Sequence, residues 1–196
     1  MPSKTPFSGD PAADQLLEDD PLALLIGMLL DQQVPMEKAF HSPYDLKERL
    51  GGELDAASIA SMDPAKLVEV FSARPSLHRF PGSMANRTQA MCQALVDEFG
   101  GRAENVWAMA ADGDDLVKRL TTLPGFGQQK AQIFTALLAK RFGIRPPGWE
   151  AAAGVYGQEG HRSVADVDGP ESLAAVRVYK REAKAKAKAK ADSAGD

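Results

Sequence analysis

The stretch Leu123-Pro124-Gly125-Phe126-Gly127-Gln128-Gln129-Lys130-Ala131 decides how the rest of the chain is read. Pro124 has no backbone N–H and disfavours helix at Leu123, so a helix should end just before it. Gly125 and Gly127 can take positive φ and bare the backbone to close approach. From Gly127 an amphipathic run continues to Phe142, and the first N–H groups of such a helix have no internal partner. Two glycines around one apolar residue, beside free helix amides, form a concavity suited to an anion such as phosphate. The same spacing also fits an ordinary tight turn between packed helices.

Composition narrows the alternatives. A chain of 196 residues suits one domain with tails and is long enough for a real core. Its 44% hydrophobic and 26% charged residues match a soluble globular protein. The lone Cys92 excludes an internal disulfide framework and a cysteine-ligated zinc or iron–sulfur site. His41, His78 and His161 are too scattered to suggest a side-chain metal centre. No signal core and no long apolar run stand in the sequence, so a cytoplasmic protein without membrane contact is expected. Charge is unevenly spread: residues 1–175 hold 16 basic and 24 acidic residues, a net of −8, while Arg177, Lys180, Arg181, Lys184, Lys186, Lys188 and Lys190 make the tail basic. That tail suits phosphate attraction or a solvated, frayed helix end.

Working outward from the hairpin, helix start signals recur. Asp20-Pro21 precedes a nearly all-apolar run, Leu22–Gln33, which belongs in the middle of a core. Ser42-Pro43 and Asp63-Pro64 open further short helices, over Tyr44–Leu50 and Pro64–Phe71, with another over Asp55–Met62. A longer helix is predicted from Met84 to Phe99, and short ones over Val106–Ala110 and Asp114–Leu120. Residues 144–168 form a long Gly/Pro-rich stretch of the kind that often carries function. The last helix begins at Asp168-Gly169-Pro170-Glu171 and runs into the Lys-Ala tail. With no convincing strand, the expectation is all-α: a loose arm over 1–15, a compact multi-helix domain over 16–180, and a basic tail over 181–196.

These elements in this order resemble the helix–hairpin–helix (HhH-GPD) glycosylases of base-excision DNA repair, the superfamily of endonuclease III, adenine glycosylase and 3-methyladenine glycosylase. Leu123-Pro124-Gly125-Phe126-Gly127 resembles their hairpin. Leu24-Leu25-Ile26-Gly27-Met28-Leu29-Leu30-Asp31-Gln32-Gln33 resembles their opening helix, and Met84-Ala85-Asn86-Arg87-Thr88 the start of the helix ahead of the hairpin. The likeness covers roughly residues 20–170 and implies a DNA-glycosylase-like fold. It implies that Pro124, Gly125, Phe126, Gly127, Gln128, Gln129 and Lys130 meet a DNA phosphate, with a monovalent cation on the hairpin backbone. Gln33 matches the glutamine that fills the gap behind a flipped base; Met84 or Ser83 is the candidate wedge and Arg87 the basic neighbour. Alone, Gln33 reads as a polar helix end and Met84 as a core filler.

The departures from the family pattern shape the expected chemistry. Strand-cleaving members carry a lysine where this chain has Gln129, with Lys130 one step, about 100°, further round the helix. The implied activity is a monofunctional glycosylase without efficient lyase action, needing no cofactor and lacking the iron–sulfur cluster of some relatives. Lys130 is left as a phosphate contact or a surface residue. The family aspartate has no clear counterpart at its usual distance; Asp166 and Asp168, beyond an apparent insertion, are the candidates. Trp149 and Tyr156 could stack on a flipped base or pack the loop to the core. The implied partner is double-stranded DNA with a damaged base, met by a monomer near the nucleoid. A catalytically silent DNA binder and a helical protein-interaction module are the competing readings.

Overall fold

The computed structural model describes residues 3–193; residues 1–2 of the expected arm and 194–196 of the expected tail lie outside them. The described chain is all-helical: α1 (Pro11–Asp19), α2 (Pro21–Leu30), α3 (Met36–Arg49), α4 (Ala56–Ser61), α5 (Pro64–Ser72), α6 (Pro81–Phe99), α7 (Asn105–Ala108), α8 (Gly113–Thr122), α9 (Gln128–Phe142), α10 (Trp149–Ala152) and α11 (Pro170–Ser193). Helix α2 is the centre. Asp20 accepts from the N–H groups of Leu22 and Ala23 at 2.9 and 3.2 Å, and Pro21 supplies a preset φ where no N–H is needed. Every residue from Leu22 to Leu30 is buried, so no face of α2 can be turned to water.

The other helices pack around it. α1 and α3 flank α2; α4 and α5 lie on α6; α8 packs on α9, with α10 against both. Close contact between α2 and α3 depends on Gly27, where a Cβ would stand 2.6 Å from the Phe40 ring. α11 rests on a 3-10 turn at Val164–Asp166 and is tied by ion pairs from Arg177 to Glu37 in α3 and from Lys180 to Asp31 just after α2.

Three expectations are corrected. Residues 3–15 are anchored rather than loose: Phe7 is wholly buried with its ring 5.1 Å from that of Phe40, and the buried Asp14 accepts from the N–H groups of Phe7 and Ser8. α3 runs unbroken through Pro43, where a new helix start was expected. Pro43 removes one helical donor, but Phe40, Ser42, Pro43 and Leu46 are buried together, and Ser42 Oγ binds the carbonyls of Lys38 and Leu77. α6 starts at Pro81, three residues before Met84, because the proline fits the first helical position.

The hairpin is a type II turn. The N–H of Phe126 donates to the Leu123 carbonyl at 3.0 Å, with Pro124 and Gly125 as the central pair and Gly125 at φ +88°. A Cβ on Gly125 would fall 2.2 Å from Leu29 Cδ1, so this glycine is required both by its backbone and by α2. Gly127 has φ −79° and open space where a Cβ would go. Gly125→Ala should therefore cost roughly 2–4 kcal/mol of folding stability through strain and overpacking, whereas Gly127→Ala should stay within about 0.5 kcal/mol of the parent. Chemical denaturation of the two variants checks both.

Candidate nucleic-acid interface

The exposed hairpin presents a row of unused donors. Gly127 caps α9 without any side-chain acceptor, and the N–H groups of Gly127, Gln128, Gln129 and Lys130 find no partner among the described residues. Phe126 turns inward instead, 4% exposed and edge-on to Phe134 at 6.0 Å, which fixes the hairpin to the core. Rigid amides and the positive end of α9 thus face outward together.

The end of α2 meets the hairpin through Leu29 and carries the polar residues. Gln32 is fully engaged: its Nε2 donates to the Leu29 carbonyl at 3.0 Å and approaches Met84 Sδ at 3.5 Å, and its Oε1 accepts from Arg87 at 3.3 Å. Its carbonyl accepts from His78 Nε2 at 2.9 Å, while Nδ1 of that histidine accepts the Phe80 N–H at 3.0 Å. Those two bonds fit the neutral imidazole, and burial lowers the pKa of His78 accordingly. Gln33, by contrast, is exposed and makes no hydrogen bond among the described residues. It is also the one non-glycine there with positive φ, at +56°, a conformation a long side chain adopts only when its surroundings impose it.

Between hairpin and α2 lies a pocket of about 430 Å³. Met28 and Ile133 supply its apolar wall, Gly125, Gly127 and Gln129 one rim, and Asp31, Lys130 and Lys180 its charge. The side chain of Asp31 is 11% exposed, and Lys180 Nζ stands 3.8 Å away. No described group donates a hydrogen bond to it. Burial raises its pKa, opposed by the charges of Lys180 and Lys130. Lys130 Nζ donates to the Leu29 carbonyl at 3.0 Å, and burial pushes its pKa down to about 8 although Asp31 pulls the other way. Neither a surface position nor an outward phosphate contact describes Lys130: the crossing of α9 over α2 turns it into the pocket. Gln129 also reaches the rim, its Nε2 donating to Tyr156 Oη at 2.8 Å.

The two aspartates expected to be catalytic lie elsewhere. Asp166 closes a capping box with Ser163, accepts from the Arg162 and Ser163 amides, and pairs with Lys140 at 2.6 Å; its side chain is 5% exposed. Both oxygens are consumed in holding the 144–168 stretch. Asp168 is exposed and accepts from Ser172 Oγ at 2.5 Å, a bond that keeps its pKa low. It precedes α11, twelve residues or about 18 Å of helix before Lys180, the α11 residue at the pocket. Met84, 4% exposed, packs inward and presents no wedge, whereas Ser83 beside it is exposed.

Trp149 belongs to the packing of α10 on α8, where a Cβ on Gly113 would stand 2.6 Å from its Cα; only Tyr156, through Gln129, borders the pocket. Lys140, Arg141 and Arg145 bind Asp166 and the carbonyls of Lys4 and Ala139, so the basic side chains that converge on the pocket are Lys130 and Lys180, with Arg87 nearby on Gln32. Sequence reading assigned no role to Asp31. Its signal was a single acid directly after a helix buried on every side.

Lys130 yields a pH prediction. Its folded pKa of about 8 lies below the ordinary 10.5, so the folded chain binds fewer protons between those values and this group's contribution to stability rises with pH across that window. NMR of methyl-labelled lysines should show one amine titrating near 8, and Asp31→Asn should move it lower still. Among the described residues no helix is long and apolar enough to cross a membrane, and no three His, Cys, Asp or Glu side chains cluster to hold a metal. No curated protein and no solved structure matches the chain significantly. The family model for the HhH-GPD superfamily base excision DNA repair proteins, however, matches residues 26–193, the hairpin, the second half of α2 and the pocket included. The chain is a member of the HhH-GPD superfamily of base-excision DNA repair proteins.

Proposed function

We propose that the protein is a monofunctional DNA glycosylase that binds double-stranded DNA containing a damaged base and hydrolyses the bond between that base and its deoxyribose. One observation carries this reading: the unsatisfied hairpin amides, the exposed Gln33 and the charged pocket meet at the end of α2. An enzyme working on a base in a duplex must take it out of the stack. The hairpin amides and the α9 N-terminus suit the phosphate, Gln33 offers a donor and an acceptor to the widowed partner base, and the pocket receives the extruded nucleotide. Gly125 is exposed, and its carbonyl, which accepts no hydrogen bond among the described residues, fits a backbone ligand for a monovalent cation beside that phosphate.

Water is the nucleophile in this reading. Gln129, at the position of the family lysine, is an amide with no nucleophilic electron pair, and the Lys130 amine is fastened to the Leu29 carbonyl at 3.0 Å. The protein acts as a monomer on cytoplasmic DNA and needs no redox cofactor. The exposed last turns of α11, with Lys184, Lys186, Lys188 and Lys190, add phosphate contacts beyond Lys180.

Duplexes carrying alkylated, deaminated or oxidised bases should include at least one that the protein converts to an abasic strand broken only by later alkali treatment. Gly127→Ala, spared in stability, should weaken duplex binding about tenfold by crowding the phosphate seat. Replacing the four tail lysines by glutamine should flatten the dependence of log binding constant on log salt by about one for each phosphate no longer neutralised. A non-catalytic DNA-binding protein is the second reading, favoured by the removal of Asp166 and Asp168 from the pocket. Retained binding with no base release from any duplex supports that reading instead.

A further inference from the structure

We infer that Asp31 is the catalytic carboxylate of this protein, set in the pocket by α2 and held between Lys130 and Lys180; the inference rests on the glycosylase reading and deepens it. The observations are geometric. Asp31 is nearly buried, borders the same pocket as the two hairpin glycines, and receives no hydrogen bond from any described group. Its nearest cation, Lys180, is 3.8 Å away, beyond direct hydrogen-bonding distance. A carboxylate that merely stabilises a fold resembles Asp166, whose two oxygens take the Arg162 and Ser163 amides and the Lys140 ammonium, or Asp14, whose Oδ1 accepts from the Phe7 and Ser8 N–H groups. A carboxylate left free of protein donors on a pocket wall is open to water or a ligand, and such groups concentrate where chemistry needs them.

The rest of the pocket fits that assignment. Lys130 is fastened by the Leu29 carbonyl, so its ammonium is a fixed charge near Asp31 rather than a mobile arm. Lys180 is more exposed and enters from α11. Their charges oppose the burial that raises the Asp31 pKa and so favour its anionic form. The anion then serves in two ways. As the bond from the sugar C1′ to the base nitrogen breaks, the pair of electrons leaves with the base and positive charge grows on C1′ and the ring oxygen; a carboxylate beside it lowers the energy of that state. Water then bonds to C1′ and loses a proton to Asp31, while the departed base gains a proton from solvent; Asp31 returns its proton to solvent. Atoms and charge balance with water as the only co-reactant. Lys130 and Lys180 are positioning residues.

The test uses two duplexes, one bearing a cationic pyrrolidine in place of the sugar and one a neutral tetrahydrofuran abasic analogue, with the full chain as wild type, Asp31→Asn and Asp168→Asn. The wild type should bind the cationic duplex more than tenfold tighter than the neutral one, because a mimic of the charged state collects the stabilisation meant for it. Asp31→Asn should bring the two affinities within about twofold of each other, and Asp168→Asn should keep the preference. Where Asp31→Asn proves unstable because Lys130 loses its counter-charge, Asp31→Asn with Lys130→Met removes both charges and should show the same loss. Preference surviving in the Asp31 variants, or absent from a wild type that binds the neutral duplex, overturns the inference while leaving DNA binding intact. A folded wild type that binds neither duplex at low salt overturns the glycosylase reading and the inference with it.

Discussion

The contact of Leu29 with Gly125 joins the two halves of the site. Leu29 is wholly buried in the last turn of α2, and its Cδ1 occupies the space that any side chain at position 125 would need. That single close approach sets the height of the hairpin above α2, and therefore the width of the pocket between them. It also explains the conformation of the hairpin. A type II turn brings a φ of +88° to its third residue, and the same residue must be small to admit Leu29. The Leu29 carbonyl, one residue short of the helix end, then receives Lys130 from above and Gln32 from the side. Orphaned carbonyls at a helix terminus have here become anchors for the functional side chains.

Charge in the site is arranged against the general character of the chain. The body is acidic, yet several acids are held in ion pairs away from the pocket: Asp115 with Arg119, Asp166 with Lys140, Glu37 with Arg177. What is left at the pocket is one acid between two lysines. Burial pushes Asp31 and Lys130 in opposite directions, up and down, so each depends on the other to remain charged. An acidic protein can meet a polyanion when its positive potential is gathered at one place, and here that place comprises the α9 N-terminus, Lys130, Lys180 and the basic end of α11.

Helix α11 has a double part. Its first half packs on the Val164–Asp166 turn and brings Lys180 to the pocket, which gives the 144–168 stretch a structural purpose: it carries the chain from the end of α9 to the start of α11. Asp166 is the staple of that stretch. The lone cysteine has no share in the chemistry, since burial pushes the Cys92 thiol up to about 12 and leaves it inert.

Much of this protein is written in local sequence. The hairpin could be read because proline and glycine restrict or release the backbone whatever surrounds them, and the central place of α2 because nine consecutive buried residues leave no face for water. Asp20-Pro21 and Asp63-Pro64 acted as helix starts because a carboxylate cap needs only its own next few residues. Pro43 misled, since the packing of Ala39, Phe40 and Leu46 outweighs one lost donor. The charged site was not legible, because Asp31, Lys130 and Lys180 are separated by up to about 150 residues and their meeting depends on how α9 and α11 cross α2. Helical rotation relates Gln129 to Lys130 but cannot say which of them faces a neighbouring helix. A carboxylate's role follows from whether its oxygens are already occupied; Asp166 and Asp31 look alike in a sequence and differ only in what the fold places around them.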